Sequence, residues 1–329
     1  MQIPRALMAS MEGYLQALSL VAILILAPMT IHLLVHKEDN TVFVFVETNN
    51  DEQQDEVENE TEAREIPQLN RSEVARIATF NIKVFGETKM GKPEVINVLV
   101  DTVLQYDLVS VQEIRDLDQT VPYDFLEQIN NRSNDTWDML LSERSGQQED
   151  DTYQEQYAYY YNTTVFSPIN GSLYNDSEND LFQKEPYLGS FELLNASGNS
   201  SGFDLTLITI HTKPASAMEE INALHTVVQD YQVENPQEPD IVILGDYNAG
   251  CSYASSEELW SSPMRNSNYT WLVPDSADTT VSSTDCAYDR IVTTGELSGR
   301  LVGTWGVDTS SFSTSNVSDH YPVWFDIYR

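Results

Sequence analysis

Basic side chains are scarce in this chain of 329 residues. Lys and Arg total 17 against 52 Asp and Glu, so the formal net charge is −35. Such a charge repels polyanions over the whole surface, which argues against binding a nucleic acid through a broad basic face. Hydrophobic residues still make up 41% of the chain. That content allows a sizeable core, in one large α/β domain with an N-terminal appendage or in two ordinary domains.

Long apolar runs are absent apart from residues 14–35, which have about the length of a membrane span or a long signal core. The flanking charges are ambiguous, and no clear small-residue cleavage site is present. We therefore predict that residues 1–40 are a signal peptide or a retained signal anchor. The protein would then be secreted or held on the extracellular face of a membrane. A buried core helix is the alternative, which the adjoining acidic segment disfavours.

Aromatic residues are absent between Glu47 and Glu65, where Asp, Glu, Asn and Gln dominate and Arg64 is the one basic residue. This composition is typical of a solvated, disordered linker. We predict an acidic linker over residues 41–73 and a folded catalytic domain over residues 74–329. The chain shows no internal repeat.

Cysteine is limited to Cys251 and Cys286, which excludes a scaffold held by many disulfides. An even pair in a secretory protein indicates a disulfide, and the chain-entropy model values such a bridge at roughly 3–4 kcal/mol. Sequons for N-glycosylation are frequent, although many must arise by chance in a chain so rich in Asn, Ser and Thr. They begin at Asn59, Asn70, Asn131, Asn134, Asn162, Asn170, Asn175, Asn195, Asn199, Asn268 and Asn316.

Strand-like and helix-like segments alternate from residue 76 onward. Residues 93–106 carry apolar side chains at helical spacing, and residues 217–233 also indicate a helix. Short apolar segments typical of strands occupy residues 76–80, 108–112, 203–210 and 241–244. Their order predicts an α/β fold. Residues 142–180 are polar and show no clear pattern.

Side chains suited to catalysis follow several of these strands. They are Asn81, Glu113, His211, Asp246 and Asn248. The neighbours Asp319 and His320 stand instead directly before the largely apolar segment of residues 321–325. Loops at a sheet edge commonly house hydrolytic chemistry, and carboxylate and imidazole groups are its usual reagents. An enzyme is therefore the first hypothesis.

Seven segments of the chain carry a more specific signal. They are Phe80-Asn81-Ile82, Phe85-Gly86-Glu87-Thr88-Lys89-Met90, Gln112-Glu113-Ile114-Arg115-Asp116, Gly245-Asp246-Tyr247-Asn248-Ala249, Pro274-Asp275-Ser276-Ala277-Asp278-Thr279-Thr280, Cys286-Ala287-Tyr288-Asp289-Arg290 and Ser318-Asp319-His320-Tyr321-Pro322. Together they resemble the deoxyribonuclease I family of the endonuclease/exonuclease/phosphatase superfamily, from about Arg76 to the C-terminus. The resemblance implies an α/β fold with two packed β-sheets flanked by helices, a four-layer sandwich, in a monomeric protein.

The same resemblance implies a metal-dependent endonuclease that hydrolyses double-stranded DNA to 5′-phosphorylated products. The reaction needs one group that takes a proton from water and another that protonates the leaving 3′ oxygen. By the family's motif, His211 pairs with Glu155 and His320 pairs with Asp289, and which histidine is the base is left open. His225 lies within a helical pattern and is interpreted as a structural or surface residue.

The expected catalytic metal is Mg²⁺ or Mn²⁺, which prefers oxygen ligands and would neutralise charge on the phosphate. Glu113 is the first choice as ligand. Asn81, Asp246, Asn248 and Asp319 would complete the ligand set or hold the phosphate. Any one of these carboxylates alone would be better explained as a solvated loop residue, but the matched set favours a site.

Structural Ca²⁺ is implied at two loops. The first contains Asp278, Thr280 and Thr284. The second contains Asp180, Phe182, which would bind through its carbonyl oxygen, and Glu185, with Asp176 as a further candidate. A bland acidic loop is the alternative for the second loop, because the small disulfide that the family has beside it has no cysteines here.

Contacts with DNA are assigned by resemblance to Arg115, Tyr153, Lys83 and Lys184. The loop of residues 147–153 is acidic where relatives carry basic residues. Because phosphate contacts supply much of the affinity for DNA, we predict weak, metal-dependent binding. The acidic surface would also suit high salt, where the screening length falls to roughly 3 Å at 1 M. Actin binding is doubtful, because residues 139–141 match the family's actin patch poorly.

Two other functions are considered. A phosphodiesterase acting on a non-DNA substrate, such as a phospholipid head group, would keep the fold and the metal, and the acidic loop supports it. An inactive surface protein that only binds a partner would agree with a retained anchor and many sequons. The intact set of Glu113, Glu155, His211, Asp289 and His320 argues against a role in binding alone.

Overall fold

The computed structural model describes residues 29–35, 42–48, 70, 72–146 and 153–329, and the chain divides into two units, residues 1–60 and 61–329. In the first unit, β1 (Met29–Val35) and β2 (Val42–Thr48) pair as an antiparallel hairpin. The apolar segment of residues 14–35 was predicted as a signal or anchor. Its residues up to 28 lie outside the described part of the chain, and its last seven residues form β1. No helix in the described ranges is long and apolar enough to cross a membrane.

The segment predicted as a linker begins with a strand, β2. Most of its remaining residues lie outside the described part of the chain. The strand β3 begins at Val74, where the catalytic domain was predicted to start.

The second unit contains twelve described strands and five described α-helices. The strands are β3 (Val74–Phe85), β4 (Leu108–Ile114), β5 (Trp137–Leu141), β6 (Gln156–Asn162), β7 (Phe166–Leu173), β8 (Tyr187–Leu194), β9 (Ser200–His211), β10 (Ile241–Asp246), β11 (Tyr269–Trp271), β12 (Asp289–Thr294), β13 (Leu301–Val307) and β14 (Val323–Tyr328). The helices are α1 (Glu87–Met90), α2 (Pro93–Val103), α3 (Val121–Ser133), α4 (Ala217–Glu234) and α5 (Ser256–Ser261).

These strands form two six-stranded mixed sheets that pack face to face. The first sheet has the order β13-β14-β3-β4-β6-β5, and the second has the order β11-β12-β10-β9-β8-β7. Ile77 and Phe325 of the first sheet share a buried cluster with Leu207 and Leu244 of the second. Side chains alternate across a strand, so the outer face of each sheet needs its own cover.

Helices supply that cover on both sides. Leu99 of α2 and Phe125 of α3 pack with Phe80 on the outer face of the first sheet. Leu224 of α4 packs with Ile243 on the outer face of the second. The order of layers is therefore helix, sheet, sheet, helix, which confirms the predicted four-layer α/β sandwich.

Parallel pairing brings several strand ends to one edge of the sandwich. β3 pairs in parallel with β4 in the first sheet, and β9 pairs in parallel with β10 in the second. We call the edge at which these four strands end the catalytic edge. Gly245 of β10 allows the strands to approach there, because it has a φ of 139° and a Cβ atom would lie 2.0 Å from the Ile210 carbonyl oxygen. Only glycine fits such a position.

Candidate active site at the catalytic edge

The first histidine–carboxylate pair joins the two sheets. His211 is the last residue of β9 in the second sheet, and Glu155 directly precedes β6 in the first. The imidazole Nδ1 lies 2.8 Å from Glu155 Oε2, and both side chains are buried. Burial raises the pKa of Glu155, but His211, Lys184 and Arg115 outweigh it and lower that pKa to about 2. Glu155 is thus an anion throughout the neutral range.

The second pair also joins the two sheets, but its histidine lies beside the first sheet and its carboxylate belongs to the second. His320 lies in the loop that leads into β14 of the first sheet, and its Nδ1 is 2.8 Å from Oδ2 of Asp289, the first residue of β12 in the second. Burial lowers the pKa of His320, but the carboxylates of Asp289 and Asp246 outweigh it and raise that pKa to about 10. Thr279 Oγ1 donates to the same Asp289 oxygen at 2.7 Å.

The protonation of this second pair follows from its hydrogen bonds. Burial raises the pKa of Asp289. The carboxyl group of Asp289 and the imidazole of His320 therefore compete for one proton. We assign the proton to His320, because the Thr279 hydroxyl donates to Asp289 and thereby stabilises the carboxylate.

Asp246 lies between the two pairs. Its Oδ2 atom is 3.6 Å from Nε2 of His211 and 3.6 Å from Nε2 of His320. Asn81 Nδ2 donates to the same oxygen at 3.0 Å. Burial raises the pKa of Asp246, but His320 and His211 outweigh it, and the net shift is downward. The two imidazoles therefore present their second nitrogens to one shared space, where a substrate atom could meet both.

Oxygen atoms suited to a hard divalent cation lie next to this space. Asn81 Nδ2 donates to Glu113 Oε1 at 3.0 Å, and the backbone N–H of Val84 donates to Glu113 Oε2 at 2.8 Å. The Asn81 amide oxygen is buried and has no hydrogen-bond partner among the described residues. A buried acceptor in that state is costly unless a ligand satisfies it. The donor set therefore fits Mg²⁺ or Mn²⁺, with Glu113 and Asn81 as the holding residues.

A second arrangement of ligand atoms overlaps this one. Asp246, Asp289 and His320 offer atoms that all lie within 4.8 Å of one another, and all three residues are buried. Glu113 Oε1 lies 3.8 Å from His211 Nε2. The catalytic edge thus gathers four carboxylates around two histidines, an arrangement that can hold a cation and move protons in the same place.

The remaining residues predicted to position metal or phosphate differ in their exposure. Asn248 is buried with a φ of 48°, and its side chain donates to the Thr212 carbonyl at 3.0 Å while its N–H donates to Asp246 Oδ1. Asp319 is 37% exposed and forms an ion pair with Lys83 at 2.7 Å. Asn248 therefore orients Asp246, whereas Asp319 lies at the rim.

The four predicted DNA contacts are not equivalent. Tyr153 is 57% exposed, and the Arg115 guanidinium lies 5.6 Å from its ring centroid, so these two form an accessible pair. Lys83 is also accessible. Lys184 is buried, with its Nζ 3.1 Å from His211 Nδ1 and 3.4 Å from Glu155 Oε2. Two buried side chains of the first pair therefore hold its ammonium, and its role as a DNA contact stays a prediction.

The two predicted calcium loops have different shapes. In the first, Asp278 Oδ1 accepts from the Thr280 N–H at 3.0 Å, and Thr280 Oγ1 donates to the Thr284 carbonyl at 2.8 Å, so the three residues form one compact turn. The second is more open. Asp180, Phe182 and Glu185 line a cavity of about 1250 Å³ together with Asp176.

The predicted disulfide is present. Cys251 and Cys286 are bonded, with 5.7 Å between their Cα atoms. The bridge joins the loop that follows Asn248 to the segment that precedes Asp289. This confirms the prediction and ties two parts of the catalytic edge together covalently.

Some residues that shape the site were not singled out by sequence reasoning. Thr279 fixes Asp289, and the Ser318 hydroxyl donates to the Asn81 carbonyl at 2.7 Å. The Tyr157 hydroxyl accepts from the His211 N–H at 3.1 Å. Thr279 and Ser318 stand inside matched segments, which is the one signal that could have found them. Tyr157 stands in a tyrosine-rich strand and carries no such signal.

Comparison with known proteins agrees with this geometry. A model of the Endonuclease/Exonuclease/phosphatase family matches residues 78–320. The chain therefore belongs to that family, in its deoxyribonuclease I branch, as the resemblance implied. Deoxyribonuclease-1 of Gallus gallus is 35% identical over 262 residues, which cover 75% of this chain and 90% of that protein. Deoxyribonuclease-1 of Mus musculus is 37% identical over 262 residues, covering 75% and 89%.

Solved structures share the fold at low sequence identity. A family protein from Leptotrichia buccalis has a TM-score of 0.55 at 16% identity, over 77% of this chain and 99% of that one. The human Nocturnin catalytic domain has a TM-score of 0.52 at 15% identity, over 78% and 94%. These likenesses support the four-layer architecture alone.

Proposed function

We propose that the protein is a metal-dependent endonuclease that hydrolyses double-stranded DNA and leaves 5′-phosphorylated ends. The observation that carries the proposal is the convergence of two histidine–carboxylate pairs, whose Nε2 atoms both lie 3.6 Å from one oxygen of Asp246. Hydrolysis of a phosphodiester needs a proton removed from water and a proton given to the leaving oxygen. The deoxyribonuclease-1 relatives support DNA as the substrate.

In this mechanism the scissile phosphate occupies the space between His211 and His320. One imidazole removes a proton from the attacking water, and the other donates a proton to the departing 3′ oxygen. Glu155 and Asp289 hold each ring through Nδ1, so that Nε2 faces the substrate. A bound Mg²⁺ or Mn²⁺, held by Glu113 and Asn81, would neutralise charge on the phosphate.

Binding of DNA is expected to be weak. Arg115, Tyr153 and Lys83 remain as accessible contacts, whereas the buried Lys184 ammonium acts on the first pair. A net charge of −35 opposes approach of the duplex at low ionic strength. Added salt should therefore screen repulsion as well as weaken phosphate contacts. We expect Arg115→Ala to weaken binding of a short duplex, and an unchanged affinity would remove Arg115 from the proposed interface.

The test of the proposed function is nicking of supercoiled plasmid by the purified protein in Mg²⁺ and Ca²⁺. Nicking should stop with EDTA and in His211→Ala. His225→Ala is the matched control, because His225 is hydrogen-bonded to Tyr269 away from the proposed reacting groups. A folded protein that nicks no plasmid at any salt concentration would contradict the proposal. Products that lack a 5′-phosphate would contradict the stated polarity of cleavage.

A second candidate is a phosphodiesterase of the same mechanism on a smaller substrate. The acidic composition and the burial of Lys184 favour it, because both remove positive charge from a DNA-binding face. Rates on plasmid and on a small synthetic phosphodiester would separate the two. A higher kcat/KM on the small diester would favour this candidate.

The route to the cell exterior and the Ca²⁺ loops belong to the same proposal. The disulfide supports an oxidising compartment, and we infer a monomeric, secreted glycoprotein. Sequon asparagines beside the strand ends opposite the catalytic edge could carry glycans without blocking it: Asn134, Asn162, Asn195, Asn199 and Asn268. Mass spectrometry of the protein from a secretory host should find occupied sites in this group.

Ca²⁺ should raise thermal stability, and Asp278→Asn should reduce that gain.

A further inference from the structure

Lys89 of α1 holds two segments of the catalytic edge. Its ammonium donates to the carbonyl oxygen of Lys83, near the end of β3, and to the carbonyl oxygen of Val317 at 2.8 Å. Its own backbone N–H donates to the Gly86 carbonyl at 3.0 Å. Lys89 therefore links the C-terminal part of β3 to the segment that leads into the second histidine pair.

The peptide unit between Lys83 and Val84 lies between a cation and an anion. Its carbonyl group accepts from the Lys89 ammonium, and its N–H group donates to Glu113 Oε2 at 2.8 Å. Because a peptide unit is planar, fixing its carbonyl also fixes the direction of its N–H. Hydrogen bonds at the two ends also polarise one another. Lys89 thus acts on the Glu113 carboxylate through one peptide unit, without touching it.

The backbone conformation of Val84 shows that contacts with other residues must hold the Lys83–Val84 peptide unit in this orientation. Val84 has a φ of 48°, in the left-handed region that β-branched residues rarely adopt. Its side chain is 48% exposed, so core packing does not enforce the conformation. Such strain persists only where surrounding contacts over-determine the backbone. The hydrogen bonds to Lys89 and Glu113 provide those contacts.

The second contact of Lys89 reaches the other side of the site. Val317 directly precedes Ser318, whose hydroxyl donates to the Asn81 carbonyl at 2.7 Å and accepts from the His320 N–H at 3.2 Å. The same ammonium therefore stabilises the backbone beside Glu113 and the backbone that leads to Asn81 and His320.

We propose that Lys89 is a positioning residue for the divalent cation. It holds Glu113 through the Lys83–Val84 peptide, so that the Glu113 carboxylate and the Asn81 amide oxygen are presented to one ion. The inference rests on the proposed function for the identity of the ion, and it adds a residue that does not itself bind the metal. Loss of Lys89 should weaken metal binding more than it slows the chemical step.

The test is Mn²⁺ binding by calorimetry, beside the Mn²⁺ dependence of plasmid nicking. Lys89→Met should weaken Mn²⁺ binding about tenfold, as expected when a group that orients a metal ligand is removed. Its kcat at saturating Mn²⁺ should change much less than the Mn²⁺ concentration for half-maximal rate. Lys92→Met, three residues away on the exposed N-cap of α2, is the matched control and should bind as the wild type does. Glu113→Gln identifies which binding event belongs to this site.

A rescue variant separates positioning from simple structural support. Glycine adopts positive φ without strain, so Val84→Gly added to Lys89→Met should recover part of the Mn²⁺ affinity. Lys89→Gln, which keeps a donor, replaces Lys89→Met if the latter does not fold. Wild-type affinity in a folded Lys89→Met or Lys89→Gln protein would overturn the inference, as would a double variant no better than the single one. Absence of nicking in the wild type would instead count against the proposed nuclease, and the calorimetric arm would still test Lys89.

Discussion

The two histidine–carboxylate pairs are built from the same parts but have different third neighbours. In the first pair, Lys184 lies 3.1 Å from the histidine Nδ1 and 3.4 Å from the carboxylate of Glu155. In the second, the neutral hydroxyl of Thr279 lies 2.7 Å from the carboxylate of Asp289. A cation therefore stands beside one pair and a neutral donor beside the other.

This difference sets the pH range over which each pair keeps its proton. In the first pair, burial and the Lys184 ammonium lower the pKa of His211, but Glu155 and Asp246 outweigh them, so the net shift from 6.5 is upward. The second pair shares Asp246 but has the Thr279 hydroxyl in place of the ammonium. Burial lowers the pKa of His320, but Asp289 and Asp246 outweigh it and raise that pKa to about 10. The residue next to each histidine–carboxylate pair, an ammonium in one and a hydroxyl in the other, therefore influences the pKa of the histidine in that pair.

The largest effect should come from deleting either imidazole. His211→Ala and His320→Ala should each lower kcat for plasmid nicking by about 10²–10⁴-fold, the usual contribution of a positioned acid or base. The double variant should lose less than the product of the two single losses, because the groups act on one substrate as a unit. Single-turnover rates at saturating metal are the measurement. Near-normal nicking by one of the variants would show that only the other pair moves a proton.

One residue of each pair should also shape opposite sides of the stability profile. Glu155 has its pKa lowered from 4.5 to about 2 on folding, so its contribution is present above pH 4.5 and is lost as the pH falls to about 2. His320 has its pKa raised from 6.5 to about 10, so its contribution is complete below pH 6.5 and is lost as the pH rises to about 10. Each pKa unit corresponds to at most about 1.4 kcal/mol of unfolding free energy.

Urea unfolding in EDTA across this pH range measures both limbs. Glu155→Gln should flatten the acid limb, and His320→Gln should flatten the alkaline limb. If Glu155→Gln left the acid limb unchanged, or His320→Gln left the alkaline limb unchanged, the pH range assigned to that residue would be wrong.

Removing the cation should make the first pair behave more like the second. In Lys184→Met the pKa of His211 should rise, because the ammonium that lowers it is gone and Glu155 remains. The pKa of His320 should stay unchanged. Proton NMR titration of both imidazoles without metal gives the two values, and an unchanged His211 pKa would mean that Lys184 has no electrostatic role.

The smallest effect is expected from a polar group that belongs to neither pair. Tyr247 directly follows Asp246 in the sequence. Its hydroxyl is buried and has no hydrogen-bond partner among the described residues. Because an unsatisfied buried hydroxyl is unfavourable, Tyr247→Phe should leave stability unchanged or raise it by about 1 kcal/mol. Thermal unfolding measures the change. A marked loss of stability would reveal a partner for this hydroxyl.

Much of the fold could be predicted from local patterns. Residues 93–106 were predicted as a helix from their apolar spacing, and α2 covers Pro93–Val103 there. Residues 203–210 were predicted as a strand, and β9 covers them in the second sheet. The strand β6 was not identified, because its run of tyrosines is polar in composition although its residues are almost all buried between the layers.

The site was less predictable than the fold, because its contacts join side chains from different strands and loops. The disulfide was inferred from count and compartment, and the histidine pairs followed from a resemblance. Lys184 was assigned to the DNA surface by resemblance, and its burial against two residues of the first pair could not be predicted from the sequence. The roles of Thr279 and Ser318 depend on hydrogen bonds to residues that only the packed sheets bring close.

The position of β14 makes the domain depend on residues that are far apart in sequence. β14 lies between β13 and β3 inside the first sheet, and it pairs Tyr328 with Val74, so β3 lacks one of its two neighbouring strands until β14 is in place. His320 belongs to the segment that leads into β14. A domain that lacks this segment and β14 therefore has neither a complete first sheet nor a complete candidate site. We expect a variant truncated before His320 neither to nick plasmid nor to unfold cooperatively.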